Sequence, residues 1–222
     1  MSDQASFGFD LVLAGHPIEG ARDSIRRYCG LPWTGGAPET WAFAYYDQVD
    51  TARADRVDPV DVLAASALQR GLSRDDMTFF AGHGSRSTPG LIEQWLFDVP
   101  SEARLESAGP KDLWALEQLT TWEAAPGLAL LTKVLHRKRP NLIPLIDRAT
   151  IDWYRPVTAE RRAERAWPAL MRAIGEDLAM TGVGAANRFW LASMAVEIAK
   201  ETGRQVSFLR LVDISIWMGA NG

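Results

Sequence analysis

The sequence predicts a mainly α fold, and three observations predict it. From residue 58 onward, apolar residues recur at helical spacing over nearly every stretch long enough to judge. Proline and glycine fall between these stretches more than within them, the punctuation of helices joined by short turns. No internal repeat of fixed period is present. The first 57 residues are mixed in character, which divides the chain into an N-terminal segment, 1–57, packing on a helical domain, 58–222. A small β element near the N-terminus is compatible with that division.

Taken in order, residues 6–13 form a candidate strand and 20–29 a helix, while LPWTGGAPET at 31–40 is a loop because its prolines and glycines forbid regular structure. VDPVDVLAASALQRGL at 57–72 spaces Val60, Val62, Leu63, Ala67 and Leu68 as a helix does. Asp58 suits its N-cap, Pro59 its first turn and Gly71 its stop. FFAGHGSRSTPG at 79–90 packs three glycines and a proline into twelve residues and is read as a loop. It lacks the Gly-Lys-Ser/Thr of a nucleotide-binding P-loop. Helices follow near 91–97, 112–123, 128–139, 148–153, 159–180, 185–201 and 206–218. Thr181-Gly182-Val183-Gly184 is read as a structural turn between two of them, and the alternating charges of AERRAERAW at 159–167 as a solvated helix face.

Composition narrows the function classes. With 222 residues, 47% of them apolar, the chain can bury a sizeable core. One cysteine, Cys29, excludes an internal disulfide framework, a multi-cysteine zinc site and a four-cysteine iron–sulfur cluster. The three histidines are scattered, so neither a metal nor another cofactor is expected. The N-terminus carries acids where a signal peptide carries positive charge, and no apolar run approaches the roughly 20 residues of a membrane span. A cytoplasmic protein without a membrane partner is expected. A formal net charge of −4 argues against nucleic-acid binding by the whole surface but allows a local basic patch.

LTKVLHRKRPNLIPLIDR at 131–148 is such a patch. Before it, two helical stretches are joined so tightly around Pro126-Gly127 that they must form a helical hairpin. In the second helix Leu130, Leu131, Val134 and Leu135 make the buried stripe, and Ala129, Lys133, His136 and Arg137 share another face. The start of that helix offers unpaired backbone N–H groups beside a glycine, a combination that attracts phosphate. Pro140 ends the helix. The apolar segment after it leads to Asp147, which stands where it can cap the next helix and be held ionised by the helix dipole.

These residues resemble a known superfamily. The Pro126-Gly127 hairpin, its following helix and the Pro-x-x-Asp of Pro144–Asp147 look like the helix-hairpin-helix DNA glycosylases, particularly the 8-oxoguanine glycosylase branch. TKVLHRKRPNLIPLIDR together with VSFLRLVDISIWM is closer to an uncharacterised family of small actinobacterial proteins, over about 58–218. The first resemblance implies a helix-hairpin-helix glycosylase-like helical domain in which the hairpin grips DNA and the aspartate serves the chemistry. The chain departs from that pattern: Ala129 replaces the second hairpin glycine, and Leu130 and Leu131 stand where bifunctional enzymes carry their lysine nucleophile. Lys133 lies about half a turn further on, either as a Schiff-base nucleophile or as a phosphate contact.

The resulting expectation is a monomeric DNA N-glycosylase acting on double-stranded DNA, monofunctional and independent of cofactors, in base-excision repair or in defence against phage DNA with modified bases. Asp147 would stabilise the positive charge that builds on the sugar and activate water, with Lys133 as the second catalytic candidate. Gly127, His136, Arg137, Lys138, Arg139 and Arg148 would contact DNA. Base flipping demands flat aromatic walls, for which Trp122, Trp153 and Tyr154 are the best placed, and the loop with His83 and Arg86 would supply a wedge or a phosphate contact. Asp213, a lone acid in an apolar helix, either pairs with Arg210 one turn earlier or lines the pocket. The alternative function is a non-catalytic DNA-binding or regulatory module of the same fold, in which Asp147 only caps a helix.

Overall fold

A tight hairpin comes first in the computed structural model, which describes residues 10–39, 41–51, 53–68, 71–81, 89–120, 127–158 and 163–221. Strand β1 (Val12–Leu13) runs antiparallel to β2 (His16–Pro17), with Leu13 opposite His16. Ala14 and Gly15 between them both have positive φ, 53° and 79°, the sign pattern of a type I′ turn. The expected strand is thus reduced to its last two residues, its first four, 6–9, lying outside the described part.

Eleven α-helices follow among the described residues: α1 (Ala21–Tyr28), α2 (Phe43–Tyr46), α3 (Pro59–Ser66), α4 (Arg74–Ala81), α5 (Pro89–Asp98), α6 (Pro110–Thr120), α7 (Leu128–Lys138), α8 (Arg148–Thr158), α9 (Ala163–Asp177), α10 (Gly182–Thr202) and α11 (Phe208–Asn221). The mainly α reading and the small N-terminal β element both hold. At α3 the Asp58 cap and the Pro59 start are present, completed by Asp61, which accepts the Asp58 N–H at 2.9 Å in a capping box. The ends of the 79–90 stretch, read as loop, are helical in α4 and α5, and 82–88 lie outside the described residues. Gly182-Val183-Gly184 is the first turn of α10 rather than a connecting turn. A Cβ on Gly184 would meet the backbone N and O of Ala179 at 2.6 Å, so close approach to the preceding segment accounts for that glycine.

Helix α1 packs along α11, and α8 packs against both α9 and α11. One apolar cluster joins Leu11, Leu13 and Ile25 of the N-terminal segment to Leu131, Leu135, Ile143 and Leu211 of the helical part. A second, built from Tyr46, Val62, Ala65, Leu130, Val134 and Leu145, lies on the other side of α7. Helix α7 is therefore packed on both sides, and even Thr132, Lys133, His136 and Lys138 are buried. The expected amphipathic helix with a basic face turned to DNA is corrected to a central helix.

Candidate active site

The cations of α7 are turned inward. The Arg137 guanidinium, 5% exposed, donates to Asp61 Oδ1 at 3.1 Å, to the Tyr46 carbonyl at 2.6 Å and to the Val49 carbonyl at 2.9 Å. Lys138 Nζ sits 2.5 Å from Asp61 Oδ2 and donates to Thr51 Oγ1 at 2.7 Å and to the Arg53 carbonyl at 2.6 Å. Arg139 binds the carbonyls of Leu96 and Val99 at the end of α5, the latter at 2.7 Å, where the helix dipole favours a cation. His136 donates from Nδ1 to the Ile143 carbonyl at 2.6 Å, and burial pushes its imidazole down to about 3, so it is neutral.

The expectation that His136, Arg137, Lys138 and Arg139 face phosphate is corrected accordingly. Each is buried with its charge or donor satisfied by protein groups, several of them supplied by chain far away in sequence: Tyr46, for example, lies 91 residues from Arg137. Two of the expected DNA contacts stay open to solvent. The Arg148 side chain is 80% exposed and paired with Asp152 at 2.6 Å. Gly127 is exposed at the start of α7, and a Cβ there would meet nothing within 4 Å.

The segment between Pro140 and Asp147 acts as a strut. Leu142, Ile143, Leu145 and Ile146 are buried, and the segment is pinned to α7 twice. The Ile146 N–H donates to Thr132 Oγ1 at 3.1 Å, and His136 holds the Ile143 carbonyl. At the end of the strut Asp147 caps α8 as expected, its Oδ1 accepting the Thr150 N–H at 3.1 Å. Because Thr132 is the neighbour of Lys133, this pinning fixes Asp147 relative to that lysine.

Asp147 and Lys133 line one cavity of about 370 Å³. Lys133 Nζ donates to the Leu68 carbonyl at 3.0 Å; burial lowers its pKa, against the opposing pull of the Asp147 and Asp213 carboxylates. Four aromatic residues wall the cavity: Tyr28, Trp41, Tyr45 and Trp217. The Trp41 and Trp217 rings meet edge to face, 5.5 Å between centroids. The buried Trp41 indole N–H has no acceptor among the described residues.

Arg210 anchors the far side. It is buried, binds both carboxylate oxygens of Asp47 at 2.8 Å, donates to Asp213 Oδ2, and lies 5.0 Å from the Tyr28 ring centroid and 4.9 Å from that of Tyr46. Asp213 thus does both things the sequence allowed, pairing with Arg210 and lining the cavity. Burial, reinforced by the nearby Asp147 and Asp47 carboxylates, raises it to about 7 against the opposing pull of Arg210 and Lys133.

The expected aromatic pocket residues lie elsewhere. Trp153 donates its indole N–H to the Leu13 carbonyl at 3.3 Å, and Tyr154, fully buried, donates to Asp177 Oδ2 at 2.8 Å. Neither lines the cavity, because their part of α8 turns toward the hairpin and α9, and this assignment is corrected. Trp122, His83 and Arg86 lie outside the described residues. Of the residues that do form the cavity, Lys133, Asp147 and the Arg210–Asp213 pair carried a sequence signal, the last as an acid in an apolar helix. Nothing in the spacing of Tyr28, Trp41, Tyr45 or Trp217 marks them as partners.

Residues 21–220 match the model of a family of unknown function, DUF6308. The chain belongs to that family. The matched span takes in every cavity residue from Tyr28 to Trp217 and leaves the N-terminal hairpin outside. No curated protein and no solved structure matches the chain. Among the described residues no helix is long and apolar enough to cross a membrane, and no group of three histidine, cysteine or acidic residues could hold a metal ion.

Proposed function

We propose that this chain is a DNA glycosylase that takes a damaged or modified base out of duplex DNA and hydrolyses its N-glycosidic bond. The observation that carries this reading is the convergence of Asp147 and Lys133, from separate elements, on one aromatic-walled cavity. The resemblance of the Pro126-Gly127 hairpin and the Pro144–Asp147 motif to the helix-hairpin-helix DNA glycosylases supplies the reaction class.

The base would stack among the rings of Tyr28, Trp41, Tyr45 and Trp217, where burial of a flat heterocycle offsets the cost of leaving the duplex. Thr150 holds Asp147 Oδ1, which leaves Oδ2 for the sugar or for the attacking water. A carboxylate so fixed stabilises positive charge developing at C1′ without reorganising. Lys133 supplies an opposing charge that keeps the acidic cavity from repelling the phosphodiester. With the cations from Arg137 to Arg139 committed to the interior, the grip on DNA rests on the α7 start at Gly127 and on Arg148. Two such contacts predict a shallow salt dependence, a log–log slope of about −2.

The test is a panel of duplexes carrying different modified bases, with alkali revealing abasic sites. Excision that falls by roughly 10²-fold or more in Asp147→Asn is expected. Undiminished excision in that variant refutes the mechanism, and tight, salt-sensitive binding without excision across the panel favours a non-catalytic DNA-binding module.

A further inference from the structure

The cavity holds a second carboxylate that the proposed hydrolysis does not yet use. Asp213 projects from α11 into the same space as Asp147, which stands at the start of α8. Arg210 donates to its Oδ2, and among the described residues no hydrogen bond is made to Oδ1. One oxygen is therefore anchored while the other is left for a proton and a ligand. Two carboxylates in one cavity, one in a helix cap and one buried among aromatic rings, are in different environments, and that difference separates a base from an acid.

Resting on the glycosylase reading, we propose that Asp213 is the acid of the reaction, delivering a proton from Oδ1 to a ring nitrogen of the departing base, and that the cavity takes neutral bases which leave only when protonated. The bond from C1′ to the base nitrogen breaks, its electron pair goes to the base, and the Asp213 proton neutralises it. Water bonds to C1′ and gives a proton to Asp147. The base departs as a neutral heterocycle, and solvent returns the Asp147 proton to Asp213.

The surroundings of Asp213 suit this cycle. Every charged neighbour comes from a different element: Lys133 from α7, Asp147 from the start of α8, Asp47 from the end of α2, and Arg210 from its own helix, with the Tyr28 phenol from α1. Burial dominates and holds the proton up to about 7, so near neutral pH a substantial share of the protein carries the acid ready. Asp47 takes the Nε and Nη2 edge of the Arg210 guanidinium and leaves only Nη1 for Asp213, which weakens the pull of that arginine on the Asp213 proton.

The experiment measures single-turnover excision from duplexes carrying hypoxanthine, uracil, 8-oxoguanine or 7-methylguanine between pH 5 and 9, for the wild type, Asp213→Asn, Asp213→Glu and Asp147→Asn. The expected result is excision of at least one of the three neutral bases, with a rate that declines as pH rises through about 7. Asp213→Asn should lose about 10²-fold or more and lose that basic limb, while Asp213→Glu restores the limb. A wild-type rate flat from pH 6 to 9 overturns the inference whatever the folding of the variants, as does excision confined to 7-methylguanine, which departs without a proton. Full activity of Asp213→Asn alongside an inactive Asp147→Asn overturns the acid and leaves the glycosylase reading standing. No excision from any duplex overturns both.

Discussion

Asp61→Asn is the perturbation that most directly separates a structural from a DNA-facing role for the α7 cations. Asp61 is fully buried and receives four groups: Lys138 Nζ at 2.5 Å, Arg137 Nε at 3.1 Å, Thr51 Oγ1 at 2.8 Å and the Asp58 N–H at 2.9 Å. Asparagine keeps the shape but removes the charge and turns one oxygen into a donor, leaving Lys138 and Arg137 buried without a counter-ion. Loss of one partner of a buried pair costs about 3–5 kcal/mol. For a chain of this size that corresponds to roughly 6–20 °C in melting temperature, followed by circular dichroism. Burial raises the Asp61 carboxyl, but the hydrogen bonds from Lys138, the Asp58 N–H and Thr51 outweigh it and hold the group below its ordinary 3.8. Its stabilisation is then complete above about pH 4 and lost as pH falls, so the two melting curves should converge in acid. Adding Lys138→Met to Asp61→Asn should recover part of the loss, because it removes a stranded charge. A shift below 2 °C at neutral pH would refute the buried-network account, and a salt slope for DNA binding reduced by about one unit in Lys138→Met would return that residue to the phosphate.

His136 should stay neutral down to about pH 3, with nitrogen chemical shifts reporting a proton on Nδ1; because its folded pKa lies below the ordinary 6.5, stability from this site is complete above pH 6.5 and falls as pH drops toward 3. An imidazole that titrates near 6.5 in the folded protein contradicts the buried placement. Lys133 is buried and engaged with the Leu68 carbonyl, so borohydride should trap no covalent complex with DNA during excision; a trapped species that disappears in Lys133→Met would make the lysine a nucleophile.

The strut explains why an apolar stretch between prolines leads to a residue that lines the cavity. Two hydrogen bonds to α7 and four buried aliphatic residues set the position of Asp147, so its geometry depends on the core rather than on a loop. The same core brings α11 across the cavity, and the Arg210 network joins α11 to α1 and to the chain after α2. A change in the N-terminal segment would therefore reach the site through Asp47 and Tyr28.

Helical periodicity and turn chemistry are local, and they were enough to place the mainly α class, the Asp58-Pro59 start, the buried stripe of α7 and the Asp147 cap. Those features depend on residues within about one turn of each other, which spacing reports directly. The orientation of Arg137, Lys138 and Arg139 was not local. A basic helix face looks the same whether it meets water or a ring of carbonyls, and here the carbonyls of Tyr46, Val49, Arg53 and Val99 come from chain 40 to 91 residues away. The cavity was equally hidden, because its aromatic walls come from α1, the chain around α2 and α11, and no periodicity links such positions. By itself the sequence determined the mainly helical class, the strut and the capped aspartate; only tertiary packing decided that the cations face inward and that Lys133, Asp147 and Asp213 share one space, since both depend on which distant segments the core brings together.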